Sequence, residues 1–115
     1  IVDDSITTRT LEKNILTTAG YNVQLALDGE EAFAALDASP CDLVVSDLDM
    51  PHMDGFELTR RIKGDARYSE LPVILVTSLD RPEDKAKGIE VGADAYIVKG
   101  TFSQDNLLDT IRQLI

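Results

Sequence analysis

A chain of 115 residues with 43% hydrophobic content has room for one core and one domain. Lys and Arg number 11 against 21 Asp and Glu, and the resulting net charge of −10 argues against direct binding to nucleic acid or an anionic membrane, which need a basic surface. No apolar stretch approaches the ~20 residues of a membrane span, no signal-peptide pattern opens the chain, and the single cysteine excludes an internal disulfide and points to a reducing, cytoplasmic setting.

The chain opens on Ile1-Val2-Asp3, which reads as the end of a first strand, and the clipped start reads as one domain, 1–115, excised from a longer protein. A helix follows, with Ser5 as cap, Leu11, Ile15 and Ala19 at helical spacing, and Gly20 at the stop position. Residues 22–26 form a short second strand. In the second helix Asp28 and Glu31 stand as a capping pair ahead of the stripe Ala32, Phe33 and Leu36. Residues 41–47 and 71–78 are nearly continuous apolar runs, the pattern of strands covered on both faces in a parallel sheet. Cys41 reads as a small core residue at the start of the first of these runs.

Between the two runs lies a helix over 55–64, with Phe56, Leu58 and Ile62 inward. The fourth helix opens at Pro82, carries acids in its first turn and stops at Gly92. Residues 94–99 are the fifth strand. The last helix has Ser103 as cap and Leu107, Leu108, Ile111 and Leu114 on its apolar face. Strand and helix thus alternate throughout. The predicted fold is α/β, a doubly wound five-stranded parallel sheet flanked by five helices, with strand order 2-1-3-4-5.

Parallel strands all end at one edge. Asp3 and Asp4 end the first strand, Asp47 the third, Thr77 and Ser78 the fourth, and Lys99 the fifth. Taken singly, each Asp is an ordinary turn former or cap and Lys99 an ordinary surface lysine. Jointly they set carboxylates, hydroxyls and an ammonium around the point where the topology switches, which is where such sheets bind ligands. Carboxylates crowded together oppose one another's ionisation unless a cation intervenes, and hard oxygen donors suit Mg²⁺. The expected arrangement has Asp4 and Asp47 on the ion directly and Asp3 through water. Asp47 is then the nucleophile of an aspartyl-phosphate, with Lys99 and Thr77 as partners of the phosphoryl oxygens.

These residues resemble the receiver domain of two-component response regulators, the CheY-like fold, over essentially the whole chain. "VDDS" is similar to that family's acidic pair, "SDLDMPHMDG" to its phosphoacceptor segment, "VTS" to its switch Thr/Ser, and "YIVKG" to its aromatic-x-x-Lys. The spacings of 30 from Asp47 to Thr77 and 22 from Thr77 to Lys99 are also similar. The resemblance implies that Asp47 is the phosphoacceptor and that Asp3 and Asp4, with the backbone carbonyl of Asp49, hold Mg²⁺. It implies that Thr77 and Lys99 contact the phosphoryl group and that Tyr96 is the switch aromatic, a residue that by itself reads as an amphipathic rim position. It implies phosphoryl donation by a histidine kinase or histidine phosphotransfer domain, docking near Ile6 and Thr7, and a downstream partner on the face of the fourth helix, fifth strand and fifth helix. Such a domain catalyses its own phosphorylation and dephosphorylation and turns over no external substrate.

Lys99 is followed by Gly100, where the family usually has Pro, so the cis bond often found there is left undecided. Asp49 adds a second acid two residues past the acceptor, reading either as solvent-facing or as a modulator of hydrolytic water. His52 reads as an exposed loop residue. The ending "VKGTFSQDNLLDTI" is similar to receivers at the C-terminus of chemotaxis-type hybrid histidine kinases. A phosphatase of the haloacid-dehalogenase type is disfavoured because Pro51 occupies its Thr position, and an EF-hand loop because His52 occupies its Gly position.

Overall fold

The computed structural model describes residues 1–2, 6–39, 41–47, 53–77, 82–98 and 104–114. Three parallel strands, β1 (Val44–Asp47), β2 (Val73–Thr77) and β3 (Ala95–Val98), lie in the order β1-β2-β3. Their register sets Val44 against Val73, Asp47 against Val76, Ile74 against Ala95 and Thr77 against Val98. Val2 extends the sheet past β1, bridging in parallel to Ser46 on one side and to Ala26 on the other. The Val2 amide donates to the Val45 carbonyl at 2.7 Å, and the Asp47 amide donates to the Val2 carbonyl at 2.8 Å. Read across the sheet, the segments run 26, 2, β1, β2, β3, which is the expected 2-1-3-4-5 order.

The first two expected strands are, among the described residues, single bridges at Val2 and Ala26. Of the first segment the described residues are 1 and 2, and both face the second: the Ile1 ammonium donates to the Gln24 carbonyl at 2.9 Å and the Ala26 amide to the Ile1 carbonyl at 2.9 Å, while Tyr21 and Val23 pack against an apolar cluster. β1 also begins later than expected, at Val44. Cys41 is exposed, and its Sγ lies 3.6 Å from the Leu43 carbonyl on the approach to the strand. The expectation of a core cysteine is therefore corrected: the ladder starts after the residue that was expected to open it.

Side chains alternate faces along each strand, and the two apolar clusters follow that alternation. Val44, Val73 and Leu75 belong to one, with Leu36, Phe56, Leu58 and Ile62 from α2 (Gly29–Ala38) and α3 (Gly55–Gly64). Val45, Ile74, Val76 and Ile97 belong to the other, with Ile15, Leu16, Leu107, Leu108 and Ile111 from α1 (Ile6–Thr18) and α5 (Gln104–Leu114). Helices therefore cover both faces.

α1 is turned relative to the expected stripe. Ile15 and Leu16 are buried, Glu12 is buried beside them, and Leu11 is 50% exposed. The helix stops at Gly20, whose φ of +97° only glycine adopts without strain. There the Gly20 amide donates to Thr17 and the Tyr21 amide to Leu16, the paired bonds of a Schellman turn. α4 (Pro82–Glu90) starts on proline as expected and ends the same way at Gly92, φ +99°. Asp28 caps α2 by accepting from the Glu31 amide at 2.9 Å, as its spacing predicts.

Candidate functional site

The described strand ends bring two of the expected site residues together. Asp47 closes β1 and Thr77 closes the neighbouring β2, one register step further along. Both are buried, Asp47 at 6% exposure and Thr77 at 1%. A carboxylate placed this deep carries a heavy desolvation cost unless a cation or strong donors compensate it. The hydrogen bond from the Asp47 amide to the Val2 carbonyl ties the end of the first segment to this point, and Asp3 and Asp4 are the next residues in sequence. Val98 closes β3, with Lys99 next.

Asp3, Asp4, Asp49, Lys99, Ser5, His52, Ser78, Gly100 and Ser103 lie outside the described residues, as do the side chains of Ile6 and Thr7. Among the described residues no three His, Cys, Asp or Glu side chains form a group that could hold a metal ion. Asp47, the described member of the expected donor set, is a buried carboxylate at a strand end, a hard-oxygen donor whose chemistry fits Mg²⁺.

Tyr96 stands on β3 opposite Leu75, two residues short of the edge. It is half-buried, and its ring packs on the cluster of α2 and α3. It also lies against Gly88 of α4. A Cβ added there would stand 3.0 Å from the ring's Cδ2. The Lys87 ammonium lies 4.7 Å from the centroid of Phe56, linking α4 to α3.

Sequence reasoning missed how Met53 and Asp54 are held ahead of α3. Asp54 caps α3, its Oδ1 accepting from the Glu57 amide at 2.8 Å. The Asp-x-x-Glu spacing of 54–57 carried that signal. Met53 is buried against Gly29, the first residue of α2, so closely that a Cβ at Gly29 would fall 2.5 Å from the Met53 sulfur. Sequence periodicity does not register such a contact. At the opposite end of the sheet Asp94 precedes β3, where its Oδ2 accepts from the Val73 amide and from Lys63 Nζ, each at 2.8 Å.

Known proteins agree with this geometry. A family model described as the response regulator receiver domain matches residues 1–112. A gliding motility regulatory protein of Myxococcus xanthus is 41% identical over 114 residues, 99% of this chain. The chain spans 15% of that protein's length, and 45–47% of three further curated relatives. Chemotaxis protein CheY4 of Vibrio cholerae superposes with a TM-score of 0.92 at 37% identity, over 99% of this chain and 94% of that one. The signal receiver domain of a signal transduction histidine kinase from Syntrophus aciditrophicus superposes at 0.91, also at 37% identity, over 98% and 85% of the two chains. With its doubly wound sheet and an acid at the switch-point edge, the chain belongs to the response regulator receiver domain family of two-component and chemotaxis signalling.

Proposed function

We propose that residues 1–115 form a single receiver domain that takes a phosphoryl group onto Asp47 and changes conformation in response. The donor is a phosphohistidine on a histidine kinase or histidine phosphotransfer domain, docking beside Ile6 and Thr7 of α1. An Asp47 carboxylate oxygen attacks phosphorus, the P–N bond breaks, and its electron pair passes to the imidazole nitrogen, which takes up a proton. Dephosphorylation is a separate hydrolysis: water attacks phosphorus, the P–O bond to Asp47 breaks with its electron pair returning to the carboxylate, and inorganic phosphate leaves as the water gives up a proton to phosphate or solvent. Asp4 and Asp47 directly, Asp3 through water and the Asp49 carbonyl would hold Mg²⁺, which would supply positive charge to offset the crowded oxygens.

Thr77 donates its hydroxyl proton to a phosphoryl oxygen and Lys99 adds a second positive charge there. The bound phosphoryl adds about −1.5 to −2 charge at pH 7, and Thr77 and Tyr96 transmit its arrival to the face of α4, β3 and α5, where a downstream protein docks. The domain modifies itself and turns over no external substrate. Its similarity to the Syntrophus kinase receiver, and to a Myxococcus protein of much greater length, supports a place in a hybrid histidine kinase of chemotaxis type. No helix of the described residues is long and apolar enough to cross a membrane; the domain is placed in the cytoplasm with the kinase that phosphorylates it.

The observation that carries the reading is the burial of Asp47 beside Thr77 at the edge where the first segment is tied to β1. The test is labelling with acetyl phosphate and Mg²⁺, read as intact mass. The wild type gains one phosphoryl group, and Asp47→Asn gains none. Labelling of Asp47→Asn at the wild-type rate would reject the assignment.

A further inference from the structure

α4 is seated unlike α3. Of its nine residues only Gly88 is buried, and its single branched aliphatic residue, Ile89, is 73% exposed. α3, by contrast, buries Phe56, Leu58, Thr59 and Ile62. Where α4 meets the sheet, the Tyr96 ring lies against bare backbone. A Cβ at Gly88 would stand 3.0 Å from Tyr96 Cδ2, 3.4 Å from Cε2 and 3.6 Å from Leu75 Cδ1. The helix terminates around the same residue, since the Ala93 amide donates to the Gly88 carbonyl at 3.0 Å in the closing turn. An element with so little buried side chain shifts at small cost.

We propose that Gly88 is a positioning residue whose missing side chain makes room for the Tyr96 ring under α4, coupling ring position to helix position. A change that swings the ring moves the α4 surface carrying Lys87 and Ile89. The contact itself stands apart from the phosphorylation reading; that phosphorylation of Asp47 drives the ring rests on it. Leu75 Cδ1 at 3.6 Å is ordinary contact, so the strain of a methyl group at Gly88 falls on the half-buried ring, which must give way by a few tenths of an ångström.

The chain has three tyrosines, Tyr21, Tyr68 and Tyr96, so 3-fluorotyrosine labelling and ¹⁹F NMR read each ring separately. In Gly88→Ala the Tyr96 resonance moves toward the solvent-exposed position while those of Tyr21 and Tyr68 stay in place. The melting temperature holds or rises, because alanine is the better helix former. The acetyl phosphate labelling rate of Gly88→Ala departs from the wild type, and this difference vanishes in a Tyr96→Ala background. In Tyr96→Ala alone, amide exchange protection in α4 falls about tenfold, on the scale of one lost aromatic contact, while that of α3 is retained. An unmoved Tyr96 resonance in folded Gly88→Ala would overturn the proposal, and if that variant fails to fold, unchanged α4 protection in Tyr96→Ala does so. If the wild type takes no label, the acceptor reading fails, and the ring and exchange measurements still decide this one.

Discussion

Asp94 holds the far end of the sheet together, and its removal has a calculable cost. One carboxylate oxygen, Oδ2, accepts from the Val73 amide and from Lys63 Nζ, each at 2.8 Å. The same ammonium donates to the Leu71 carbonyl at 2.8 Å. The node joins the end of α3, the start of β2 and the turn into β3. Val73 is fully buried, so Asp94→Ala leaves its amide without an acceptor, at about 1–3 kcal/mol. Side-chain exposure is 19% for Lys63 and 34% for Asp94, so solvent screens the ion pair and its loss adds about 1 kcal/mol.

Asp94→Ala is thus expected to cost about 3 kcal/mol, which lowers the melting temperature of a domain this size by about 12 °C. Asp94→Asn keeps an oxygen for the Val73 amide and loses only the charge, costing about 1 kcal/mol. Lys63→Met keeps the bond from Val73 to Asp94 and also costs about 1 kcal/mol. Urea unfolding followed by circular dichroism measures all three, with the m-value unchanged if only stability is affected. The reasoning is refuted if Asp94→Asn is as damaging as Asp94→Ala, because the charge and not the buried amide would then dominate. Labelling by acetyl phosphate should be unchanged in all three below their melting points, since the node sits at the opposite end of the strands from Asp47.

Two further predictions concern other parts of the fold. Gly29→Ala sets a Cβ within 2.5 Å of the Met53 sulfur and 3.0 Å of Met53 Cβ, a buried overlap expected to cost about 1–3 kcal/mol; in a Met53→Ala background, itself destabilised by the lost core side chain, the same substitution should cost much less, and a Gly29→Ala melting curve matching the wild type contradicts the packing. Asp65 accepts from Arg67 through the side chain at 2.9 and 3.2 Å and through the backbone amide at 2.9 Å, and these bonds hold its carboxyl below the usual carboxylate range. Its contribution to stability is therefore complete above the unfolded value near 4 and is lost as pH falls through the lower folded value. Arg67→Gln should flatten that acid limb in melting temperature against pH, and an unchanged limb would assign it to other carboxylates.

How much of this was legible beforehand depends on the range of the interaction. The runs over 43–45 and 73–76 announce strands covered on both faces, because each residue in turn meets one of two apolar layers. Gly20, Gly92, Asp28 and Pro82 act on backbone within one turn of themselves, and each does what its chemistry dictates. The meeting of Asp47 and Thr77 is legible for a topological reason: parallel strands joined by helices can end only at one edge, so the last polar residue of each run must arrive there.

Harder to read are the face of α1 and the seats of the loops. Leu11, Ile15 and Ala19 and the observed Glu12, Ile15 and Leu16 are both regular helical spacings, and a buried glutamate overrides the charge rule that would choose between them. The contacts of Gly29 with Met53, Gly88 with Tyr96, and Lys63 with Asp94 join residues 24, 8 and 31 positions apart. Two of the three depend on an absent side chain. A missing Cβ leaves no trace in a hydrophobic pattern, yet it decides how closely Met53 and the helix beside Tyr96 approach their neighbours. The placement of the edge that carries Asp47 and Thr77 thus follows from connectivity, which a sequence displays, and the way the helices seat around it follows from close packing, which appears only in three dimensions.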